Sequence, residues 1–163
     1  MARTDSFFIR ASTLTDGTNY NESAIDLGAY VDALGKSVLR IHNISVQYGV
    51  PNTTYAGAPT TSTSSSFQLT TQSQTALQAI NNRSLVSSGT MAIATGATEV
   101  VAMNDHLDVG PQHFTDGYLI AVEQMYLGVD QTFDHFSQIS IVLECTVETM
   151  TQAAAMALAL SQQ

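Results

Sequence analysis

The chain has 163 residues, of which 44% are hydrophobic and 12% are charged, whereas a soluble domain usually carries roughly 25% charged residues. Five Lys and Arg residues against fourteen Asp and Glu residues give a formal net charge of -9, which argues against attraction to phosphate backbones and predicts no direct nucleic-acid binding. The length fits a single domain, residues 1–163, whose polar surface must come mainly from Ser, Thr, Asn and Gln.

The first part of the chain contains two strand patterns separated by turn signals. Residues 7–11 predict an opening strand, and residues 13–22 predict a polar turn. Residues 37–49 predict a long strand whose apolar residues change face halfway along. A bulge near His42 and Asn43 would reconcile the two halves of this strand.

A long loop is predicted at residues 51–66, because prolines and a glycine precede a run of Ser and Thr. Loops of more than about 12–15 residues are usually functional or disordered. Further short patterns predict strands over residues 67–70, 84–95 and 99–103, and a weak helix over residues 75–81.

The last third of the chain contains the strongest patterns. Residues 117–130 predict one strand that is covered on both faces for part of its length, and residues 137–149 show the clearest apolar alternation. Cys145, the only cysteine, lies in that alternation and is predicted to be a small buried hydrophobic residue. Residues 151–163 are rich in Ala, Met and Leu and predict a helical tail starting at Thr149 or Thr151, which either closes one end of the body or docks on a neighbouring subunit.

Together these patterns predict an all-β fold, an antiparallel β-sandwich with about eight strands and a short C-terminal helix. The N-terminus lacks the profile of a secretory signal, and no apolar run approaches the ~18 to 20 residues of a membrane span. The expectation is a soluble product that is made in a cytoplasm and has no transmembrane segment.

One predicted acidic loop is a candidate metal site. It contains Asp105, His106, Asp108 and His113 and is followed by Asp116. Oxygen and nitrogen ligands gather there, but their spacing matches no named motif. A solvated acidic loop is the favoured interpretation, and a bound Ca²⁺ or similar ion is the alternative. No metal and no cofactor are predicted.

Catalytic patterns are also weak, so an enzyme is not expected. The sequence has no Gly-x-Ser-x-Gly elbow, no cysteine beside a histidine and no phosphate-binding glycine loop. Glu144 and Glu148 lie on one face of a predicted strand, about 13 Å apart at ~3.3 Å per residue, which exceeds the ~5 to 9.5 Å used in glycoside hydrolysis. A solvated strand face is therefore the favoured interpretation of these two glutamates.

With this strand rhythm and its hydroxyl-rich loops, the chain resembles the small coat proteins of tailless icosahedral viruses of microbes, in particular the single jelly-roll class. Residues 118–129 and 139–147 would be long strands of that sandwich. The resemblance implies a jelly roll, a virion location after synthesis in the host cytoplasm, and self-assembly with copies of the chain and other virion proteins. The basic arm of many small coat proteins is missing, which favours a genome screened by another protein or a membrane layer, or a separate outer-layer role for this chain.

Three regions are predicted as subunit contacts on this resemblance: the opening strand, the long loop and the helical tail. The candidate residues are Phe7, Phe8 and Ile9, then Pro51, Tyr55 and Pro59, then Met156, Leu158 and Leu160. The alternatives are core packing for the first and last groups and a plain surface loop for the middle one.

Other functions compete with a shell protein. One is another phage or virus structural subunit, such as a decoration, tail or spike protein. Another is a carbohydrate-binding β-sandwich, in which a sugar stacks on an exposed aromatic ring such as Tyr48, Tyr55 or Tyr126. An enzyme is the least favoured, with the acidic loop as its only foothold.

Overall fold

A computed structural model of the chain describes residues 2–32, 34, 36–52 and 60–163. These residues form nine strands, one 3₁₀ turn (Pro111–His113) and one helix, α1 (Gln152–Ser161). The strands are β1 (Phe7–Leu14), β2 (Asn21–Asp26), β3 (Ser37–Tyr48), β4 (Ser62–Thr70), β5 (Leu85–Thr95), β6 (Val100–Val109), β7 (Tyr118–Ile120), β8 (Gln124–Gln131) and β9 (Gln138–Thr149).

The strands form two antiparallel sheets, in the orders β1-β9-β3-β7 and β2-β8-β4-β5-β6. The first strand pairs with the last, β2 with β8, β3 with β7, and β4 with β5. This nested pairing is that of one long hairpin rolled up into two sheets, which is the strand order of a jelly roll. β6 is an additional strand at the edge of the second sheet. The predicted all-β sandwich is confirmed, with nine strands rather than about eight.

The core lies between the two sheets and follows from the alternation of each strand. Ile41 and Leu143 point inward from the four-stranded sheet, and Phe67, Leu127 and Val129 meet them from the five-stranded sheet. Burying each such side chain stabilises the fold by about 1.5–3 kcal/mol. The inward strip of β9 thus explains why its alternation was the clearest in the sequence.

Cys145 lies in this core and is fully buried, as predicted. Burial raises the pKa of its thiol to about 12, since a thiolate would lose its hydration there. The side chain therefore behaves as a small hydrophobic residue rather than as a nucleophile.

The predicted bulge in β3 is confirmed. The register between β3 and β9 shifts between Ile41 and Asn43. The extra residue, His42, lets Ile41 and Ile44 both face the core although they are three positions apart.

The prediction of one strand over residues 117–130 is wrong. β7 lies in the four-stranded sheet and β8 in the five-stranded sheet, so residues 121–123 carry the chain from one sheet to the other. Ala121 at this corner is fully buried. Apolar residues on both sides of the pattern reflect this corner, and not a strand covered on both faces.

Other boundaries also differ from the predictions. β4 begins at Ser62, inside the predicted loop of residues 51–66, and β2 was not predicted at all. Residues 75–81 form turns and bends instead of a helix. β6 extends to Val109, beyond the predicted residues 99–103.

Helix α1 begins as predicted after Thr151, whose hydroxyl accepts a hydrogen bond from the backbone N–H of Ala154 at 3.3 Å. Its inner face packs through Ala155 against Val38 and Ala121. The helix therefore covers the end of the sandwich where β3 begins and β7 ends. This contact corresponds to the first of the two predicted roles for the tail.

Several irregular places in the fold use a glutamine amide in place of a strand neighbour. A primary amide offers one acceptor and one donor in a plane, so it can pair with a backbone N–H and C=O as a neighbouring strand does. Four glutamines pair in this two-point manner: Gln68, Gln112, Gln131 and Gln162.

Gln112 continues the hydrogen bonding along β3 beyond the end of the short strand β7, and Gln162 bonds the outer edge of β7. Gln112 bonds both the N–H and the C=O of Ile44 at 3.2 Å. Gln162 donates to the carbonyl of Leu119 at 2.6 Å and accepts from the N–H of Ala121 at 3.0 Å. Its own backbone carbonyl accepts from the Thr71 hydroxyl at 2.7 Å. Gln162 therefore ties the end of the tail to both sheets.

Replacing Gln162 by leucine is expected to lower the free energy of unfolding by about 2 kcal/mol, because a buried N–H and a buried C=O lose their partners. Urea unfolding measures this change, and hydrogen exchange should report faster exchange of the Ala121 amide. Gln163→Leu is the matched control, since Gln163 is exposed. Equal stabilities of the two variants would contradict the proposed role of the Gln162 amide.

Candidate functional site

Strand β6 is the most exposed strand of the fold. It ends the five-stranded sheet, and eight of its ten residues are exposed, the exceptions being Leu107 and Val109. Val101 is 67% and Met103 49% exposed. Among the residues that the structure describes, no strand pairs with its outer edge. An exposed edge of this length is a ready template for another strand.

The acidic residues considered for a metal do not form one loop. Asp105, His106 and Asp108 lie on β6, whereas His113 ends the 3₁₀ turn. His106 and Asp108 are two positions apart and share one face of the strand, whereas Asp105 belongs to the other face. His106 Nε2 lies 3.3 Å from Asp108 Oδ1, and the Nδ1 of His113 accepts from the Gly110 N–H at 3.2 Å. In the described part of the chain, no three His, Cys, Asp or Glu residues are grouped as metal ligands.

A cleft of about 270 Å³ opens between β3 and β6. It exists because the three residues of β7 cover only Leu39–Ile41 of β3, and the second half of β3 has no full strand beside it. Its wall is apolar and its rim is polar. The lining residues are Ile44, Val46, Tyr48, Phe67 and Leu107, with Asp105, His106 and His113 at the rim.

The electrostatics of this cleft disfavour an anion. Burial raises the pKa of Tyr48 above its ordinary range, and the carboxylates of Asp105 and Asp108 raise it further. Tyr48 packs edge-on against Phe67, with ring centroids 6.4 Å apart. Of the other rings considered for sugar stacking, Tyr126 lies on β8, and Tyr55 is outside the described residues.

The opening strand divides between core and surface. Phe7 stacks on Tyr30 with ring centroids 4.9 Å apart, and Ile9 packs against the core. Phe8 points outward and is 56% exposed, with the Arg10 guanidinium 5.8 Å from its ring centre. Of the three candidates on this strand, Phe8 is therefore the one available for a contact.

Helix α1 has an outer apolar face. Met156 is 43% and Leu160 67% exposed, whereas Leu158 packs on the inner cluster with Ala155. Of the predicted loop contacts, Pro51 is exposed, and Pro59, like Tyr55, falls outside the described ranges. The structure thus leaves Phe8, Pro51, Met156 and Leu160 at the surface.

A polar network covers the outer face of the four-stranded sheet. Glu148, expected on a solvated face, is buried and receives two bonds from Arg40, Nε to Oε1 at 2.6 Å and Nη2 to Oε2 at 2.9 Å. These bonds hold the pKa of Glu148 below its ordinary value. The prediction of a solvated strand face is therefore wrong for Glu148, whereas Glu144 is half-buried.

His42 and Arg3 complete this network. The Arg3 Nη2 group donates to His42 Nε2 at 2.6 Å, which requires the neutral imidazole. Burial, and then the charge of Arg3, lowers the pKa of His42. The N-terminal segment is thereby held against β9 and β3.

The second half of β6, residues 104–109, was not predicted from the sequence. Residues 104–109 contain only two apolar side chains, the half-buried Leu107 and Val109, so the alternation is too short to indicate a strand. The only available signal was the adjacent run of apolar residues 100–103, which predicted a shorter strand.

Within the described residues, no helix has the length and hydrophobicity that a membrane span requires. No protein-family model matches the sequence, and comparison with curated proteins finds no matching relative.

Proposed function

We propose that this chain is a structural subunit that assembles with copies of itself into a closed shell, the capsid of a virion. The observation that carries the proposal is the combination of a jelly-roll strand order with a ten-residue edge strand whose residues 100–106 are all exposed. Jelly rolls occur in viral coat domains and also in lectins and cupins. The fold therefore supports the proposal only together with the surface.

The positions of the exposed apolar residues support a subunit with several neighbours. Phe8 lies on β1, the first strand of one sheet, and Met103 lies on β6, the last strand of the other. Since β1 and β2 lie side by side at the opposite lateral edge from β6, these residues lie at opposite edges of the sandwich. Met156 and Leu160 add a third surface at the end of the sandwich. A closed shell needs contacts on opposite sides of each subunit.

The composition supports contacts between copies as well. With 12% charged residues, the chain presents many hydroxyl and amide groups, which can enter an interface without the desolvation of an ion. A stable interface must bury about 1,000 Å² or more. Because the net charge is -9, this subunit would contact the genome through another virion component.

Assembly is tested by raising the concentration of the purified chain at near-neutral pH and at two salt concentrations. Light scattering and negative-stain microscopy are expected to show closed particles, with more assembly at higher salt because repulsion between acidic subunits is screened. A protein that stays monomeric at every concentration and salt would contradict the proposal. Discrete trimers or hexamers would favour a decoration, tail or spike subunit, and binding on a glycan array would favour a lectin.

A further inference from the structure

The outer edge of β6 has little of the usual protection of an edge strand between Ala102 and Leu107. Natural edges are kept from pairing by short length, by charged residues such as lysine, by proline, by β-bulges or by a covering segment. The register shifts of β6 against β5 lie near its two ends, at Val101 and Asp108. β6 has ten residues with no lysine and no proline, against eight in β1, six in β2 and three in β7. Because β6 is the last strand of its sheet and no described strand pairs with its outer edge, another strand can approach without displacing any described part of the chain.

The backbone directions in β5 follow from two hydrogen bonds. Thr95 donates its N–H to Thr61 on the β4 side at 3.0 Å, and Gly96 donates to Glu99 on the β6 side at 2.8 Å. Backbone groups along an antiparallel strand alternate between its two neighbours. The even-numbered residues of β5 from 90 to 94 therefore direct their N–H and C=O groups toward β6.

The same alternation fixes which residues of β6 face outward. The even-numbered residues of β5 are paired with Ala102, Asn104 and His106 of β6, which must direct their backbone groups back toward β5. Met103 and Asp105, between them, direct their N–H and C=O groups away from the sheet. Between the register shifts at Val101 and Asp108, the outer edge of β6 thus presents regularly alternating backbone donors and acceptors.

We propose that β6 pairs antiparallel with β6 of a second copy, so that two five-stranded sheets join about a local two-fold axis. This inference rests on the self-assembly proposed above and names one of its interfaces. The occupant is a second copy because an antiparallel strand matches its own backbone direction, and because the exposed apolar Val101 and Met103 can be covered by the same strand of a second copy.

Backbone direction limits the register of this pair. Outward-facing residues of one strand must meet outward-facing residues of the other, so the axis passes through a residue and not between two residues. An axis at Asp105 would place two aspartates opposite each other. An axis at Ala102 would place Glu99 opposite Asp105. Like charges directly opposite each other are destabilising in a sheet.

An axis at His106 or Leu107 would leave Val101, which is 67% exposed, opposite a residue beyond the end of β6. An axis at Val101 would pair only residues 100–102 with each other. Two registers remain, with the axis at Met103 or at Asn104. In the first, the exposed Met103 side chains meet, and Val101 lies opposite Asp105. In the second, the Asn104 amides meet, and Val101 lies opposite Leu107. Neither register places like charges directly opposite, whereas in-register parallel pairing would place Asp105 opposite its own copy.

Cysteine cross-linking tests the pairing, since the natural Cys145 is fully buried. Directly opposite residues have Cα atoms about 4.5–5.5 Å apart, within the roughly 4.4–6.8 Å of a disulfide. Under mild oxidation of the assembled protein, Met103→Cys or Asn104→Cys is expected to become a disulfide-linked dimer, and only one of them, because the two registers exclude each other. Val101→Cys is the matched control. It lies on the same exposed strand, but at least four residues from its own copy in either register.

The outcomes separate this inference from the proposed function. Particles that form without a specific cross-link at Met103 or Asn104, or with equal cross-linking of Val101→Cys, would overturn the β6 pairing and leave self-assembly standing. A wild-type chain that never assembles would overturn both. As a second measurement on the unmodified protein, the Met103 and Asp105 amides are expected to exchange hydrogen more slowly in particles than in dissociated subunits, and unchanged exchange would also count against the pairing.

Discussion

Replacing Arg40 by methionine is expected to lower the free energy of unfolding at pH 7 by about 3–5 kcal/mol, the cost of leaving a buried carboxylate without its partner. The Glu148 side chain is 5% exposed and that of Arg40 13%. Arg3 also lies 3.6 Å from Glu148 but is half exposed, so it can compensate only in part. Urea or thermal unfolding measures the loss.

The pH dependence of this loss has a definite sign. In the wild type, the pKa of Glu148 lies below its ordinary value of 4.5, because Arg40 bonds the carboxylate. The stabilisation is therefore present above pH 4.5 and is lost as the pH falls through the folded pKa. In Arg40→Met, burial without a partner raises the Glu148 pKa, so the deficit relative to wild type should shrink on acidification.

Two control variants make this prediction specific. Arg10→Met removes the same charge from exposed Arg10 of β1, and should change stability by less than about 0.5 kcal/mol. Arg40→Met combined with Glu148→Leu removes both charges and should recover a large part of the loss. A deficit in Arg40→Met that is independent of pH would argue against an unpaired Glu148 as its cause.

Replacing Gly117 by alanine is expected to be comparably destabilising. Gly117 has a φ of +67°, and a Cβ there would lie 2.2 Å from the carbonyl oxygen of Ile41. The contact is with backbone, so no side-chain rotation can relieve it. Separation of β7 from β3 would be needed, at a cost of about 3 kcal/mol or more from strain and overpacking together.

Gly17 provides the matched control for this effect. Its φ of +56° carries a similar backbone strain, but a Cβ there would meet nothing within 4 Å. Gly17→Ala should therefore cost only about 1 kcal/mol. The difference between the two unfolding free energies isolates the close approach of Gly117 to β3, and equal losses would show that the clash is relieved in some other way.

The sequence predicted those parts of the fold where burial repeats with the period of a strand. β9 and the bulged β3 were predicted nearly to their ends, since Ile139, Ile141 and Leu143 alternate with residues on the outer face. The helix after Thr151 was predicted from its Ala, Met and Leu content. These features are local, so one stretch of sequence contains the whole signal.

The missed features depend on distant parts of the chain. Nothing within residues 117–130 reveals that the chain changes sheets at Ala121, because the apolar spacing continues across the corner. β2 and the second half of β6 lack an apolar period. The burial of Glu148 depends on Arg40, which lies 108 positions away and is brought alongside it by the pairing of β3 with β9.

The predicted subunit-contact residues also divide into exposed residues and residues that pack on the core. Phe8, Met156 and Leu160 are exposed as a contact residue must be, whereas Phe7 and Ile9 belong to the core alternative that was also considered. Adjacent phenylalanines on a strand must face opposite ways, but alternation alone does not say which of them faces the core.

The glutamine amides that replace strand neighbours have a consequence for chemical ageing. Deamidation of Gln162 would turn its NH₂ group into a carboxylate oxygen facing the carbonyl oxygen of Leu119, now 2.6 Å from the amide nitrogen. A donor would become a negatively charged acceptor, and the same exchange at Gln112 would repel the carbonyl of Ile44. Slow deamidation of Gln162 and Gln112 would thus weaken the attachment of the helical tail to β7 and of the 3₁₀ turn to β3.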